Sequence, residues 1–406
     1  MTTGQRARVP LVFAALLAAC SGHGASNPGA ASGGQPSNAE VGGTAAGGGN
    51  NTGNSGSAAT AQPAGGTSAL GGSANEPAQG GNVSSTQGGS SANNGGSSAG
   101  SAGSSTPSPV LGTPMEKALV KLPAARQEHS VAAAAGEIYV IGGYNPNVTD
   151  SVQAYDPAKD KWRDVKSFPV KMNHGNAASI NDKIYVAGYY INGTMSTSTT
   201  DAYSYDPKAD TWTKIASLPT GTQRAASCVA VNAGLMYVIG GADSGRSVDD
   251  AARYDPASNT WEELPVLPER REHCTAGFIK GVLYVAGGRA DGITGIEPKT
   301  WAFDLASKAW TERASLAPPR GGLAGAVLAD RLFVFGGEGN MNASNGVFPD
   351  IDVYDPATNQ WQALPPMLVP RHGYGAAVLD NRIYLAGGAV HQGAGGSDEV
   401  SVFWLN

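Results

Sequence analysis

The sequence predicts an all-β chain whose four-stranded sheets stand radially around an axis, and three observations predict it. A short apolar run that closes on glycine occurs six times: Ile138 to Gly143, Ile184 to Tyr189, Met236 to Gly241, Leu283 to Gly288, Leu332 to Gly337 and Ile383 to Gly388. The first glycines, at 142, 188, 240, 287, 336 and 387, are 46, 52, 47, 49 and 51 residues apart. A mark of Tyr155-Asp156-Pro157, Tyr205-Asp206-Pro207, Tyr254-Asp255-Pro256, Phe303-Asp304-Leu305 and Tyr354-Asp355-Pro356 keeps the same beat, each a few residues before Trp162, Trp212, Trp261, Trp310 or Trp361. Segments of small residues, such as Ser130 to Ala135, Ala225 to Ala230 and Gly373 to Ala377, precede the apolar runs. A period of roughly 50 residues with this composition is that of a six-bladed β-propeller rather than of one continuous core.

Each element follows in order within a repeat. Small residues suit the strand nearest the axis, where six sheets crowd together. The apolar run is hydrophobic on both faces, as a strand sandwiched between neighbouring blades must be. The glycine pair lets the backbone take positive φ or approach a neighbour closely. Tyr-Asp-Pro supplies a turn with fixed φ and an aspartate that bonds local amides, and the tryptophan gives the outer strand a large apolar plate. The last repeat, from Arg371, offers only three strands before the chain stops. Met115 to Leu122 holds the outer-strand position ahead of the first repeat, so the N-terminal strand is expected to complete the sixth blade and hide two sheet edges.

These paired marks resemble the kelch repeat, a glycine pair closing one strand followed by a Tyr-Asp-Pro-like turn and an outer-strand Trp. The resemblance covers roughly residue 114 to the C-terminus and implies the same six-bladed propeller over 113–406. Two departures stand out: Tyr189 replaces the second glycine of the second repeat, and Leu305 replaces the proline of the fourth.

Arg6 and Arg8 precede a short apolar stretch from Val9 to Ala19, too short to span a bilayer. Leu17-Ala18-Ala19-Cys20 resembles the bacterial lipobox, which implies lipidation at Cys20; a plain secretory signal is the other reading. With Ser21 after the cysteine, the resemblance implies an outer-membrane lipoprotein of the cell envelope if the cell is Gram-negative. From 21 to 112 the chain is rich in Gly, Ser, Ala and Asn, with Glu40 and Glu76 its only charges, a composition that cannot offset ordering entropy. It is either a tether, with a coil reach of roughly 50 Å, or a neutral spacer.

Outside 1–112 the chain has 25 basic and 31 acidic residues and no basic stripe, which argues against nucleic acid as a partner. Cys228 and Cys274 lie in the small-residue strands of adjacent repeats, and both a disulfide and two buried thiols are open to them. No paired histidines at ligand spacing, CxxC, nucleophile elbow or dinucleotide loop is present, so neither metal nor cofactor is expected.

Sixteen residues before the first glycine stand Arg126, Arg224, Arg271, Arg320 and Arg371, with Met172 in the second repeat. Antiparallel connection returns the glycines to the same rim, so the arginines share a face with the variable segments after them. Two roles are open to the guanidiniums: bonding turn carbonyls, or lining a mouth that binds anionic groups. Blade-specific neighbours, His129, His174, His273, His372, Glu128, Glu272, Arg289 and Glu338, are the candidates for selectivity. The function expected is a non-catalytic binding module for a carbohydrate, peptide or protein at this rim. The alternative, from a distant resemblance to the periplasmic sialic acid mutarotase, is a mutarotase or epimerase for an acidic sugar. A purely structural envelope role is the third.

Overall fold

The computed structural model describes residues 111–191 and 197–406. The signal segment ending at Cys20, and all but the last two residues of the stretch from 21 to 112, lie outside the described residues. Among the described residues every regular element is a strand, and no helix is long and apolar enough to cross a membrane.

Six four-stranded antiparallel sheets form the blades. In blade 1 the strands, from the axis outward, are Ser130–Ala134, Glu137–Ile141, Val152–Asp156 and Lys161–Val165. Blades 2 to 5 begin at Ala177–Ile180, Cys228–Asn232, Thr275–Ile279 and Ala324–Leu328 and repeat that order. Blade 6 takes Gly375–Leu379, Arg382–Ala386 and Val400–Leu405 from the C-terminus and Pro114–Ala118 from the start of the domain. Pro114 faces Leu405 and Ala118 faces Ser401. The N-terminal closure is therefore present, with a ladder shorter than the segment from 115 to 122 led one to expect. Beyond it, the N–H groups of Leu119 and Leu122 still donate to the carbonyls of Val400 (2.9 Å) and Asp398 (2.8 Å).

The apolar second strands do what their composition predicts. Tyr139, Val140 and Ile141 are fully buried, as are Phe333, Val334 and Phe335, because both faces pack on neighbouring blades. The core is consequently divided into wedges between blades: Ile141, Met172, Val186 and Tyr189 meet between blades 1 and 2, and Phe333, Phe335 and Phe403 between blades 5 and 6. Small residues on the first strands, among them Ala132, Ala178, Ala230, Gly277, Ala326 and Ala377, leave an axial cavity of about 350 Å³.

The tyrosine and tryptophan stitch the periphery. Tyr155, Tyr205, Tyr254 and Tyr354 each tilt against the tryptophan across the hairpin, with ring centroids 4.8–5.2 Å apart. Their hydroxyls donate to Asp160, Asp210, Asn259 and Asn359 at 2.6–2.7 Å. The same carboxylate or amide oxygens accept backbone N–H groups outside their own hairpins, from Val120, Lys166, Ala216 and Ala314. Each indole N–H then donates to a carbonyl of the strand or connection before its repeat, Val120, Lys166, Ala216, Pro265 or Ala314, at 2.8–3.2 Å. Asp160, Asp210, Asn259 and Asn359 all have φ near +50°, a conformation that Asn and Asp tolerate better than most residues.

Both departures from the repeat are absorbed. In blade 4, Phe303 and Lys308 remove the hydroxyl and its acceptor, so Trp310 alone makes the stitch; the turn persists because Asp304 accepts from Ala306 (3.0 Å) and Ser307 (2.7 Å) without the proline. In blade 2, Tyr189 is buried with its ring edge-on to Phe168 at 5.3 Å.

Cys228 and Cys274 form a disulfide with their Cα atoms 5.2 Å apart, joining blades 3 and 4 close to the axis. Of the two states open to these cysteines, the fold adopts the bridge.

Deleting Pro114–Ala118 from the full chain exposes the edge of the Val400–Leu405 strand and should lower the thermal midpoint by about 5–10 °C; an unchanged melt would mean that the closure contributes nothing. The disulfide closes a loop of 46 residues, for which chain entropy gives about 4 kcal/mol. Cys228→Ala with Cys274→Ala should lower the urea midpoint accordingly, and thiol titration of the denatured, unreduced wild type should find neither cysteine free.

Candidate functional site

Residues two positions beyond the arginines carry the geometry of the site. Glu128, His174, Ala226, His273, Gly322 and Gly373 hold this place in blades 1 to 6, and all six have φ between +52° and +64°. The αL turn aims each N–H at the carbonyl of its counterpart in the preceding blade. His174 donates to Glu128 (2.8 Å), Ala226 to His174 (2.9 Å), His273 to Ala226 (2.9 Å), Gly322 to His273 (3.0 Å), Gly373 to Gly322 (2.7 Å), and Glu128 back to Gly373 (2.6 Å). Six backbone hydrogen bonds thus form a closed ring around the axis. Three of its members have long side chains, and these meet.

Glu128 Oε2 lies 3.1 Å from His174 Nε2 and 3.6 Å from His273 Nε2. The two imidazoles are nearly perpendicular, with centroids 4.9 Å apart. Around them sits a second tier from the residues just after the glycine pairs. Arg289 Nε donates to Glu272 Oε1 at 3.0 Å, its Nη1 contacts Glu338 Oε1, and its Nη2 lies 3.3–3.4 Å from both ring nitrogens of His273. Being equidistant from both nitrogens places the guanidinium over the ring face rather than on either lone pair. Glu338 Oε2 accepts from Gly393 N–H (3.2 Å) and lies 3.4 Å from His372 Nδ1; His372 Nε2 contacts the His391 carbonyl at 2.8 Å.

The environment separates the proton affinities of these groups. Burial pushes the imidazole of His174 down to about 4, against the pull of Glu128. His273 is equally buried, but with Glu128 and Glu272 beside it its imidazole is held up at about 9. Burial alone would raise Glu272 and Glu128; the histidines around both, and Arg289 beside Glu272, instead hold Glu272 down at about 2 and Glu128 well below the usual carboxylate range.

Of the two roles open to the arginines, the fold builds the first, the bonding of turn carbonyls, and not a guanidinium-lined mouth. Arg126, Arg224, Arg271, Arg320 and Arg371 are at most 3% exposed. Four of them reach back to the carbonyl of the first glycine in their own repeat: Arg126 to Gly142 (3.2 Å), Arg271 to Gly287 (3.3 Å), Arg320 to Gly336 (2.7 Å) and Arg371 to Gly387 (3.3 Å). This bond explains the constant 16-residue offset. Arg224 donates instead to Val238 O (3.1 Å) and Thr222 O (2.7 Å). In blade 2, where Met172 stands, the Gly188 carbonyl is taken by the Asn176 N–H (3.1 Å). Further guanidinium donors go to Gln153 from Arg126, Glu269 from Arg271, Asp352 from Arg320 and Ser401 from Arg371, while the Nε atoms of Arg224, Arg271 and Arg371 are buried without a partner. His129 likewise turns away from the mouth: its Nε2 contacts the Ala386 carbonyl (2.8 Å) between blades 1 and 6, and burial, helped by Arg126, pushes its ring down to about 4. Of the candidate residues, His174, His273, His372, Arg289, Glu338, Glu128 and Glu272 come together, and the five arginines and His129 do not. Cys20 lies outside the described residues.

A family profile for the KLHDC2/KLHL20/DRC7 Kelch-repeats domain matches residues 115–267 and, overlapping them, 177–388. The chain belongs to the kelch-repeat family. Kelch-like protein terF of Aspergillus terreus is 32% identical over 294 residues, 68% of this chain and 64% of that protein. Kelch-like protein 23 of Pongo abelii is 27% identical over 255 residues, covering 62% and 43%. Kelch-like ECH-associated protein 1B of Danio rerio is 39% identical over 88 residues, covering 22% and 15%. The matched regions span less than two thirds of the length of each of these relatives. Among solved structures, that of YjhT aligns with a TM-score of 0.59 at 18% identity, covering 71% of this chain and 99% of YjhT, a likeness of fold.

Within a kelch repeat, then, the arginine is part of the framework, while the residue two places on is free to vary between Glu, His, Ala and Gly. Spacing along the chain conceals the Glu128–His174–His273 cluster because its members come from three blades. Their common offset from the arginine position was the available signal.

Arg320→Ala leaves Asp352, whose side chain is 4% exposed, as a buried carboxylate without its cation, which should cost about 3–5 kcal/mol in urea denaturation. A loss below about 0.5 kcal/mol, the range of ordinary surface substitutions, would argue against the framework role.

Proposed function

We propose that this kelch protein is a lipid-anchored, extracytoplasmic binding module that presents the loop face above the axial cluster to a peptide, protein or carbohydrate. One observation carries the reading: the segments after the glycine pairs emerge on one side, differ from blade to blade, and are bonded to one another. Ser247 N–H donates to Asp291 Oδ1 (2.9 Å), and Asp291 N–H donates to Ser247 Oγ (2.7 Å). Asn345 Nδ2 donates to Val390 O (3.1 Å), and Asn145 Nδ2 to Gly396 O (3.3 Å). A surface held this way loses little conformational freedom on binding, and its blade-to-blade differences are what a specific site requires. Met341, 91% exposed on the 338–348 loop, is an apolar anchor of the kind that partners bury.

Three features support the address. The Cys228–Cys274 disulfide suits an oxidising compartment. Leu17 to Cys20 has the lipobox pattern, and the Gly/Ser-rich stretch is long enough to hold the propeller off a membrane. The name of the Danio rerio relative, an ECH-associated protein, is in keeping with protein binding. Mutarotation of an acidic sugar such as sialic acid is the second reading. It draws on the unlike proton affinities of His273, at about 9, and Glu272, at about 2, with His273 Nδ1 3.6 Å from Glu272 Oε2. Burial of these groups beneath the loops favours the first.

Alkynyl-palmitate labelling should mark the wild type, and Cys20→Ser should lose both label and membrane association; label persisting on Cys20→Ser sinks the anchor. Panning peptide-display libraries and probing glycan arrays with the full chain should yield ligands that Met341→Asp weakens at least tenfold with an unchanged melt. Ligands indifferent to Met341→Asp, or none at all, would count against the loop face. Faster anomer exchange of sialic acid by NMR would promote the enzyme reading over the binder.

A further inference from the structure

We propose that Glu128, His174 and His273 form a binding site for one divalent transition-metal cation of the Zn²⁺ class on the propeller axis. Their three donor atoms all lie within 4.8 Å of one another. Donors held about 2.1 Å from such an ion stand roughly 3.0–3.4 Å apart at octahedral or tetrahedral angles. Of the separations from Glu128 Oε2, that to His174 Nε2, 3.1 Å, falls inside this range, and that to His273 Nε2, 3.6 Å, lies about 0.2 Å above it. Two imidazoles and one carboxylate suit first-row divalent ions better than Ca²⁺ or Mg²⁺, which prefer an all-oxygen shell.

A second observation points the same way. His174 Nδ1 lies 2.5 Å from the Asn173 amide oxygen, an acceptor, so the ring proton belongs on Nδ1 and Nε2 carries a lone pair. That Nε2 is buried without a hydrogen-bond partner, although a carboxylate oxygen stands 3.1 Å away. Two electron-rich atoms held face to face repel each other unless a proton or a metal cation lies between them. On the far side of the other histidine, Glu272 Oε2 stands 3.6 Å from His273 Nδ1, the carboxylate that commonly orients a ligating imidazole from behind.

Charge and space agree with this assignment. Glu128, Glu272 and Glu338 carry three negative charges against the single guanidinium of Arg289, which Glu272 and Glu338 already engage. Once His273 gives up its ring proton to ligate, two negative charges remain, the number that a divalent ion cancels. The ring positions between the ligands are Ala226, Gly322 and Gly373, and with Gly175 and Ser227 they line a pocket of about 100 Å³ beside the triad. Water or a small anion fits there to complete the coordination sphere, so the site has the open positions of a reactive or ligand-binding centre rather than a closed structural one.

The test uses the full chain, stripped with a chelator and titrated with Zn²⁺, and with Co²⁺ as an optical probe. One equivalent should bind, the melting temperature should rise, and in ¹⁵N-histidine spectra the Nε2 signals of His174 and His273 should move while those of the other four histidines stay. His174→Asn and His273→Gln should each weaken binding at least tenfold, whereas His129→Gln, bonded elsewhere, should leave it unchanged. Should either ligand variant fail to fold, the wild-type imidazole spectrum still decides. The site is refuted by no binding tighter than about 100 µM, by shifts confined to other histidines, or by a proton that stays on His174 Nε2 with Zn²⁺ in excess.

Discussion

Everything on the axis of this propeller depends on a ring of six peptide hydrogen bonds, each joining one blade to the one before it. The bonds exist because six residues adopt the left-handed conformation, which costs a non-glycine residue roughly 1–2 kcal/mol. Four positions incur that cost, at Glu128, His174, Ala226 and His273, and glycine avoids it at the other two. Strain of this kind persists where the surroundings over-determine it, and a closed cycle does so, since no member can relax without opening the bonds on both sides.

Two further sets of bonds tie the blades at larger radius. The second-glycine N–H of blades 1, 3, 4, 5 and 6 donates to the carbonyl at the arginine position of the following blade. In blade 2, where Tyr189 stands, the Asn176 side chain reaches the Arg224 carbonyl instead (3.2 Å). Farther out, the tryptophan indoles take up carbonyls from the preceding repeat. The same residue pair thus serves at both levels: the first glycine's carbonyl receives the guanidinium of its own blade, and the second glycine's N–H satisfies the next. Backbone groups buried between sheets need partners, and this exchange supplies them without a side chain on the rim. It also explains why the arginines are buried. A guanidinium buried against turn carbonyls is out of a ligand's reach.

That outcome locates the limit of repeat logic. A residue that recurs in five blades at one offset occupies one environment five times, and a single environment cannot discriminate between ligands. The rim was correctly placed on the chain because antiparallel strands return to the same end, yet its most visible residues turned inward. The residues that do converge are the non-repeating ones, and among them only a ring geometry selects: His129 and Glu128 are neighbours in sequence, but one points between blades 6 and 1 and the other across the axis. Tyr189 and Leu305 show the converse, departures in sequence that the fold absorbs through a buried aromatic contact and an aspartate that forms its turn without proline.

What the amino-acid order determined alone was whatever repeats: six blades, the small-residue axis, the apolar second strand, the tyrosine–tryptophan hairpin and the need for an N-terminal strand to complete the last blade. These follow from local rules, alternation, turn chemistry and edge satisfaction, that act within one repeat. Tertiary structure decided the rest: that Cys228 and Cys274 bond, that the guanidiniums face carbonyls, and that a carboxylate and two imidazoles from blades 1, 2 and 4 meet on the axis. Those relations depend on distances between blades, which closure of the ring sets and no single repeat contains.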